Sequence, residues 1–215
     1  MSFKYTEEYA QKFSFAEEAV KVVKSGNQVI YAFGVCSINE LDRALSMRKD
    51  ELQDVKIICN DMTCRYYAMD AGFTVEHFNF YEEMCQGVRE SSLSKGDTKK
   101  EARRTDRNSS DYDVRPGYVF MATVSPMDKN GYFWFGRNVA ENQIYKKYYE
   151  MADYVILEIN ERILEGKIPE QECIHISKVD KIVGSNNKDL LQGFEKPGKS
   201  YIYHENAATV AYRAV

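Results

Sequence analysis

Histidine and tryptophan are scarce in this chain, with three His and one Trp in 215 residues, alongside four Pro and five Cys. His77, His175 and His204 are scattered, so no catalytic or metal-binding histidine cluster is expected, and each lone imidazole reads as structural. The cysteines, Cys36, Cys59, Cys64, Cys85 and Cys173, are odd in number and include no CxxC pair. That excludes a disulfide framework and the common zinc spacings. Cys59, Cys64 and His77 could share a metal, but reduced, partly buried thiols of a cytosolic protein account for them more simply. No apolar run approaches the roughly 20 residues of a membrane span. The opening MSFKYTEEYAQKF is polar and acidic, neither a signal peptide nor an Arg-rich transit peptide. A basic excess is also missing: Lys plus Arg is 29 against 33 Asp plus Glu, a formal charge of -4. The expectation is a cytoplasmic protein with no nucleic-acid or membrane partner.

What is present suits a packed core. Hydrophobic residues make up 44% and aromatics 13%, with 16 Tyr and 11 Phe, and the length fits one domain spanning 1–215. Helical and strand patterns alternate along the chain. Ser14-Phe15-Ala16-Glu17 reads as a capping box ahead of Phe15, Ala19, Val22 and Val23 at helical spacing. Gly26 stands at a C-cap position before a strand over 28–33. A second box, Ser37-Ile38-Asn39-Glu40, opens a helix through Leu41, Ala44, Leu45 and Met47. The run VKIIC, 55–59, predicts a strand covered on both faces. A helix over 63–71 ended by Gly72, a strand over 74–80 and a helix over 80–92 follow. Strands over 118–124 and 132–135, a helix over 139–151, and strands over 154–159 and 174–176 complete the pattern. Such alternation predicts an α/β fold: a largely parallel sheet covered by helices on both faces.

Two stretches depart from it. Between Ser91 and Arg115 only Leu93 and Val114 are strongly apolar, and residues 99–107 carry five basic and two acidic side chains. This reads as a hydrophilic loop, with a phosphate-bearing ligand or acidic partner as the functional alternative. Residues 185–215 read as a divergent tail.

Parallel α/β sheets bind ligands in loops at the carboxyl ends of their strands. The first such loop contains Gly34, Val35, Cys36 and Ser37. Gly34 allows close backbone approach, and the helix that follows offers free N–H groups to an anion such as a carboxylate or phosphate. No GK[ST] follows, and the loop is not GxGxxG, so neither a P-loop nor a dinucleotide fingerprint is present. The second feature is Ser125-Pro126-Met127-Asp128-Lys129-Asn130-Gly131-Tyr132-Phe133-Trp134-Phe135-Gly136. Its Asp-Lys-Asn-Gly is good turn chemistry ahead of an aromatic strand, and the local pattern predicts a hairpin.

That same stretch, SPMDKNGYFWFG, resembles the S-P-x-D-x-x-G-Y-x-x-x-G signature of the acetyl-CoA hydrolase/transferase family, which includes butyryl-CoA:acetate and 4-hydroxybutyrate CoA-transferases. Residues 7–45 resemble the family's opening helix, strand, glycine loop and next helix. ADYVILEIN and CIHISKVDKIV resemble its later strands. The likeness covers about residues 7–90 and 117–184 in order. It implies a parallel-sheet domain of the ribose-isomerase and CoA-transferase type. It also implies a larger protein, because family members are about twice this length. Their catalytic glutamate, which carries CoA as a glutamyl thioester, and the glycine-rich CoA loop lie in a second domain. No residue here matches that glutamate; Glu158 ends a strand of the first domain and is not nominated. Gly87 and Gly96 keep the spacing of a family glycine pair, but the basic segment replaces an apolar stretch of the family.

The resemblance implies the first-domain half of a CoA-transferase, moving CoA between an acyl-CoA and a small carboxylate. No permanently bound cofactor or metal is expected; coenzyme A enters as substrate. The expected partner is a chain bearing the second domain, or further copies in a homo-oligomer. Gly34, Val35, Cys36 and Ser37 would face the carboxylate, and Ser125, Asp128 and Gly131 would border the cleft. A non-catalytic module binding an acyl-CoA, a carboxylate or a protein, and an inactive fragment, are the alternatives.

Overall fold

A computed structural model describes residues 4–32, 38–59, 66–77, 117–135, 139–163 and 173–184, with backbone alone for 139–144. The predicted helix over 80–92, the hydrophilic segment 91–115 and the tail 185–215 lie outside the described residues.

Seven strands form one parallel sheet: β1 (Phe13–Ser14), β2 (Gln28–Ala32), β3 (Lys56–Cys59), β4 (Thr74–His77), β5 (Val119–Val124), β7 (Tyr154–Ile159) and β9 (Lys181–Gly184). Their order is β1-β9-β7-β5-β2-β3-β4, and every neighbouring pair is parallel. The central strands are apolar throughout, as a sheet covered on both faces requires: all six residues of β5 are buried.

One face carries α2 (Ala16–Ala19), a 3-10 turn (Val20–Val22), α3 (Glu40–Ser46) and α4 (Tyr67–Asp70). Their Ala19, Val20, Leu41, Leu45 and Ala68 pack against Val29, Ile57, Met121 and Ile156 of the sheet. The other face is covered by α5 (Val139–Met151) and by an antiparallel ribbon of β6 (Tyr132–Trp134) and β8 (Cys173–His175). There Phe120 and Leu157 meet Phe133, Phe135, Tyr145 and Tyr149. Helix α1 (Thr6–Lys12) adds Tyr9, which stacks on Phe133. The expected parallel α/β architecture is thus present, with a β-ribbon taking part of one face.

Three local expectations change. Ser14 is not a helix cap: with Phe13 it forms β1, pairing Ser14 with Val183, and α2 begins at Ala16 with no side-chain cap. The backbone is claimed by the sheet edge before the hydroxyl can turn back. At the second predicted box the cap position is Asn39, also without a side-chain cap; the orphan N–H groups are satisfied from elsewhere, as described below. The hairpin after β5 does not extend the sheet. Its second strand, β6, pairs instead with β8, in register Phe133↔Ile174.

Candidate functional site

Strand order reverses at β2. From there the chain proceeds through β3 and β4 on one side, then returns to place β5, β7 and β9 on the other. Strands β2 and β5 lie side by side, with Ala32 opposite Ala122. Their carboxyl ends lie at the same edge, while the connections that follow them run to opposite sides, which makes this a switch point, the usual ligand crevice of a parallel sheet. The loop bearing Gly34, Val35, Cys36 and Ser37 leaves β2 there and lies outside the described residues. The chain is described again from Ile38.

The far end of that loop is held by an unexpected residue. Glu158, on β7, is fully buried, and its carboxylate accepts from Asn39 N at 3.2 and 3.3 Å and from Leu41 N at 3.0 Å. A buried carboxylate needs such donors to be tolerated, and the positive end of a helix adds favourable potential. A similar device sits one helix further along. Asp42 of α3 is buried and accepts from Tyr31 Oη (2.9 Å), Tyr67 N (2.6 Å) and Ala68 N (3.2 Å). Burial pushes its carboxyl up to about 6, against the pull of those three donors. Burial, followed by the charge of Asp42, also holds the Tyr31 hydroxyl well above the usual tyrosine range.

The signature turn leaves β5 at the same edge. Ser125 is buried; its N–H donates to Trp134 O at 2.8 Å, and its Oγ accepts from Trp134 N at 3.0 Å. Asp128 Oδ1 accepts from Asn130 N (2.8 Å) and Tyr132 N (2.9 Å), while Asp128 N donates to Tyr132 O (2.9 Å). These side-chain oxygens stand in for the ladder that β6 gives to β8 rather than to β5. Gly131 takes φ +87°, and a Cβ there would lie 2.7 Å from Tyr5 Cδ2 and 3.0 Å from His175 Nε2. Only glycine meets both demands. His175 packs edge-on against Tyr5 and Tyr132, and its Nδ1 accepts from Ser177 N at 3.2 Å. The structure thus brings Ser125, Asp128 and Gly131 into one turn, with their polar groups engaged in building it.

Sequence reading did not single out Thr123 or Asn160, at the carboxyl ends of β5 and β7. Thr123 is the register partner of Glu158, and Asn160 N donates to Val124 O at 2.8 Å. Asp42 was equally silent, since an acidic residue in a helix reads as surface. A charge inside VILEIN was the one available signal, because a buried strand holds a glutamate only if something pairs with it. Cys59 is buried, and its register partner on β4 is His77; Cys64 lies outside the described residues. Among the described residues, no three His, Cys, Asp or Glu side chains are grouped to hold a metal ion, and no helix is long and apolar enough to cross a membrane.

Comparison with known proteins agrees with this fold. The acetyl-CoA hydrolase/transferase N-terminal domain matches residues 2–190. A probable butyrate:acetyl-CoA coenzyme A-transferase of Syntrophomonas wolfei is 34% identical over 196 residues, covering 87% of this chain and 41% of that protein. A butyryl-CoA:acetate CoA-transferase of Anaerostipes caccae is 33% identical, covering 89% of this chain and 42% of the relative. The chain therefore spans about two fifths of the length of these curated relatives. Among solved structures, RipA from Yersinia pestis superposes with a TM-score of 0.63 at 22% identity, over 93% of this chain and 47% of that one. A 4-hydroxybutyrate CoA-transferase from Porphyromonas gingivalis gives 0.57 at 20% identity, over 85% and 41%. These two speak for the fold alone. With its parallel sheet, its signature turn at the carboxyl edge and a match over residues 2–190, the chain belongs to the acetyl-CoA hydrolase/transferase N-terminal domain family.

Proposed function

We propose that this chain forms one wall of a CoA-transferase site that moves CoA between an acyl-CoA and a small carboxylate. The catalytic glutamate and most of the CoA cradle come from a second domain, on a partner chain or beyond this sequence. The observation that carries this reading is the coverage: a match across most of this chain to CoA-transferases of which it spans only 41% and 42%. Coenzyme A acts as substrate, with no permanently bound cofactor, in a cytoplasmic oligomer. On this reading Gly34, Val35, Cys36 and Ser37 face the carboxylate at the switch point, and Ser125, Asp128 and Gly131 border the cleft through the shape of their turn. The two-part arrangement follows from the chemistry. A carboxylate nucleophile must attack the thioester, and fixed N–H donors must meet the developing oxyanion.

The test is reconstitution. The chain is mixed with the separately produced second domain of the Anaerostipes caccae relative, and CoA transfer from butyryl-CoA to acetate is followed. The chain alone is expected to be inactive and the mixture active. A stable complex of the two that transfers nothing contradicts the proposal.

A further inference from the structure

Among the described residues, Ser14 Oγ, Thr123 Oγ1, Trp134 Nε1 and Asn160 Nδ2 are buried without a hydrogen-bond partner. Folded proteins leave few such groups, and each calls for an explanation. Thr123 and Asn160 stand on adjacent strands at the same carboxyl edge. Thr123 is 3% exposed and lies opposite Glu158 in the ladder. Asn160 is 1% exposed and directly follows β7. The orientation of its amide is fixed, because Oδ1 accepts from Arg162 N at 2.9 Å. The unpaired atom is therefore the NH2 group, which can only donate. The threonine hydroxyl can donate as well. Both are short of an acceptor.

The acceptor's charge follows from the neighbour. Glu158 is fully buried beside Thr123, and its carboxylate is already engaged by Asn39 N and Leu41 N. A second anion on that rung would face a like charge in a low-dielectric setting, whereas a neutral oxygen would not. We propose that Thr123 Oγ1 and Asn160 Nδ2 form a donor pair at the carboxyl edge of β5 and β7 that takes an uncharged carbonyl oxygen, of the acyl-thioester class, in preference to a carboxylate. The choice of a thioester as the source of that carbonyl rests on the function proposed above; the preference for a neutral acceptor does not.

The experiment titrates the full chain with S-butyryl-N-acetylcysteamine and, separately, with free butyrate, following the side-chain amide resonances of Asn160. The thioester is expected to shift them, and butyrate at equal concentration to leave them in place. Thr123→Val and Asn160→Asp should each weaken thioester binding about tenfold or more, and Thr123→Ser should restore it. Thr123→Val should leave the thermal midpoint unchanged or raise it, since the hydroxyl it deletes has no partner to lose. The proposal is overturned if butyrate acts as strongly as the thioester, if neither ligand moves the resonances, or if the variants bind like the wild type. It is equally overturned if Thr123→Val lowers the midpoint, because the hydroxyl would then have a structural role. Reconstituted CoA transfer is a separate readout: its failure alongside thioester binding at this pair would count against the transferase reading and leave the pair standing.

Discussion

The two faces of the sheet are built on different principles. On the ribbon side the core holds an aromatic cluster among aliphatic residues: Phe120 meets Tyr145 and Tyr149 edge-on, and Phe135 stacks on Tyr149. On the α2–α4 side the core is mostly aliphatic and encloses two carboxylates, Asp42 and Glu158. Helix length explains the contrast. Helix α5 has 13 residues and can satisfy most of its backbone internally. Helix α4 has four residues and α3 has seven, so their leading N–H groups form a large share of their backbone. The first four N–H groups of any helix find no partner inside it. Asp42 and Glu158 supply acceptors where neither Tyr66 nor Asn39, the residues at the cap positions, gives a side-chain bond. Both faces are held by apolar packing, and the α2–α4 face adds hydrogen bonds that two buried carboxylates accept from the helix starts.

Substitutions should separate these two modes of support. The largest expected loss is Phe120→Ala, about 3–5 kcal/mol by chemical denaturation, because a fully buried ring is removed. On the same face Phe120→Leu should cost about 1–2 kcal/mol, in proportion to volume. On the other face Glu158→Ala should cost about 2–4 kcal/mol, mostly for leaving Asn39 N and Leu41 N unpaired. Glu158→Gln keeps the volume and one acceptor oxygen and should recover part of that loss. A Glu158→Leu variant as stable as Glu158→Gln would erase the distinction between the faces.

Next in size is Gly131→Ala, about 1–3 kcal/mol. It places a Cβ at φ +87° against Tyr5 and His175. Equal stability of the alanine variant would show that the turn tolerates repacking.

The smallest effect is the pH response of Asp42. Its folded carboxyl sits at about 6, above the ordinary 3.8, so the folded state holds this proton more tightly than the unfolded chain does. The resulting stability is complete below about 3.8 and disappears as pH rises through about 6. Lowering the pH from 7 to 5 should therefore add about 1 kcal/mol from this group. Asp42→Asn should remove that increment, which parallel denaturation curves at the two pH values will measure. An unaltered pH response in the variant would place the titration elsewhere.

How much of this was legible varies by element. Strands β2, β3, β5 and β7 stand out because buried parallel strands are continuous apolar runs. Strand β1 was hidden: two residues cannot show a period, and Ser14 looked like a cap. Strand β6 was visible as a strand, but its pairing with β8 rather than β5 depends on distant residues, such as Ile174 opposite Phe133. At the site, the turn holding Ser125, Asp128 and Gly131 was legible because turn chemistry is local. Glu158 reaching Asn39 across the sheet is not local: the charge inside VILEIN signals that a partner exists, and nothing in either segment says which. Thr123 is an ordinary strand residue by composition, and Asn160 an ordinary loop residue; their missing partners appear only in three dimensions.

The proposed function requires a wall at the carboxyl edge of the switch between β2 and β5. Backbone hydrogen exchange, measured on the chain alone and in complex with a second domain and butyryl-CoA, tests that placement most directly. Protection should concentrate at Ala32, Asn39 and the turn from Ser125 to Gly131. Protection concentrated instead at the opposite edge, around Asn27, Lys56 and Asp153, would contradict it.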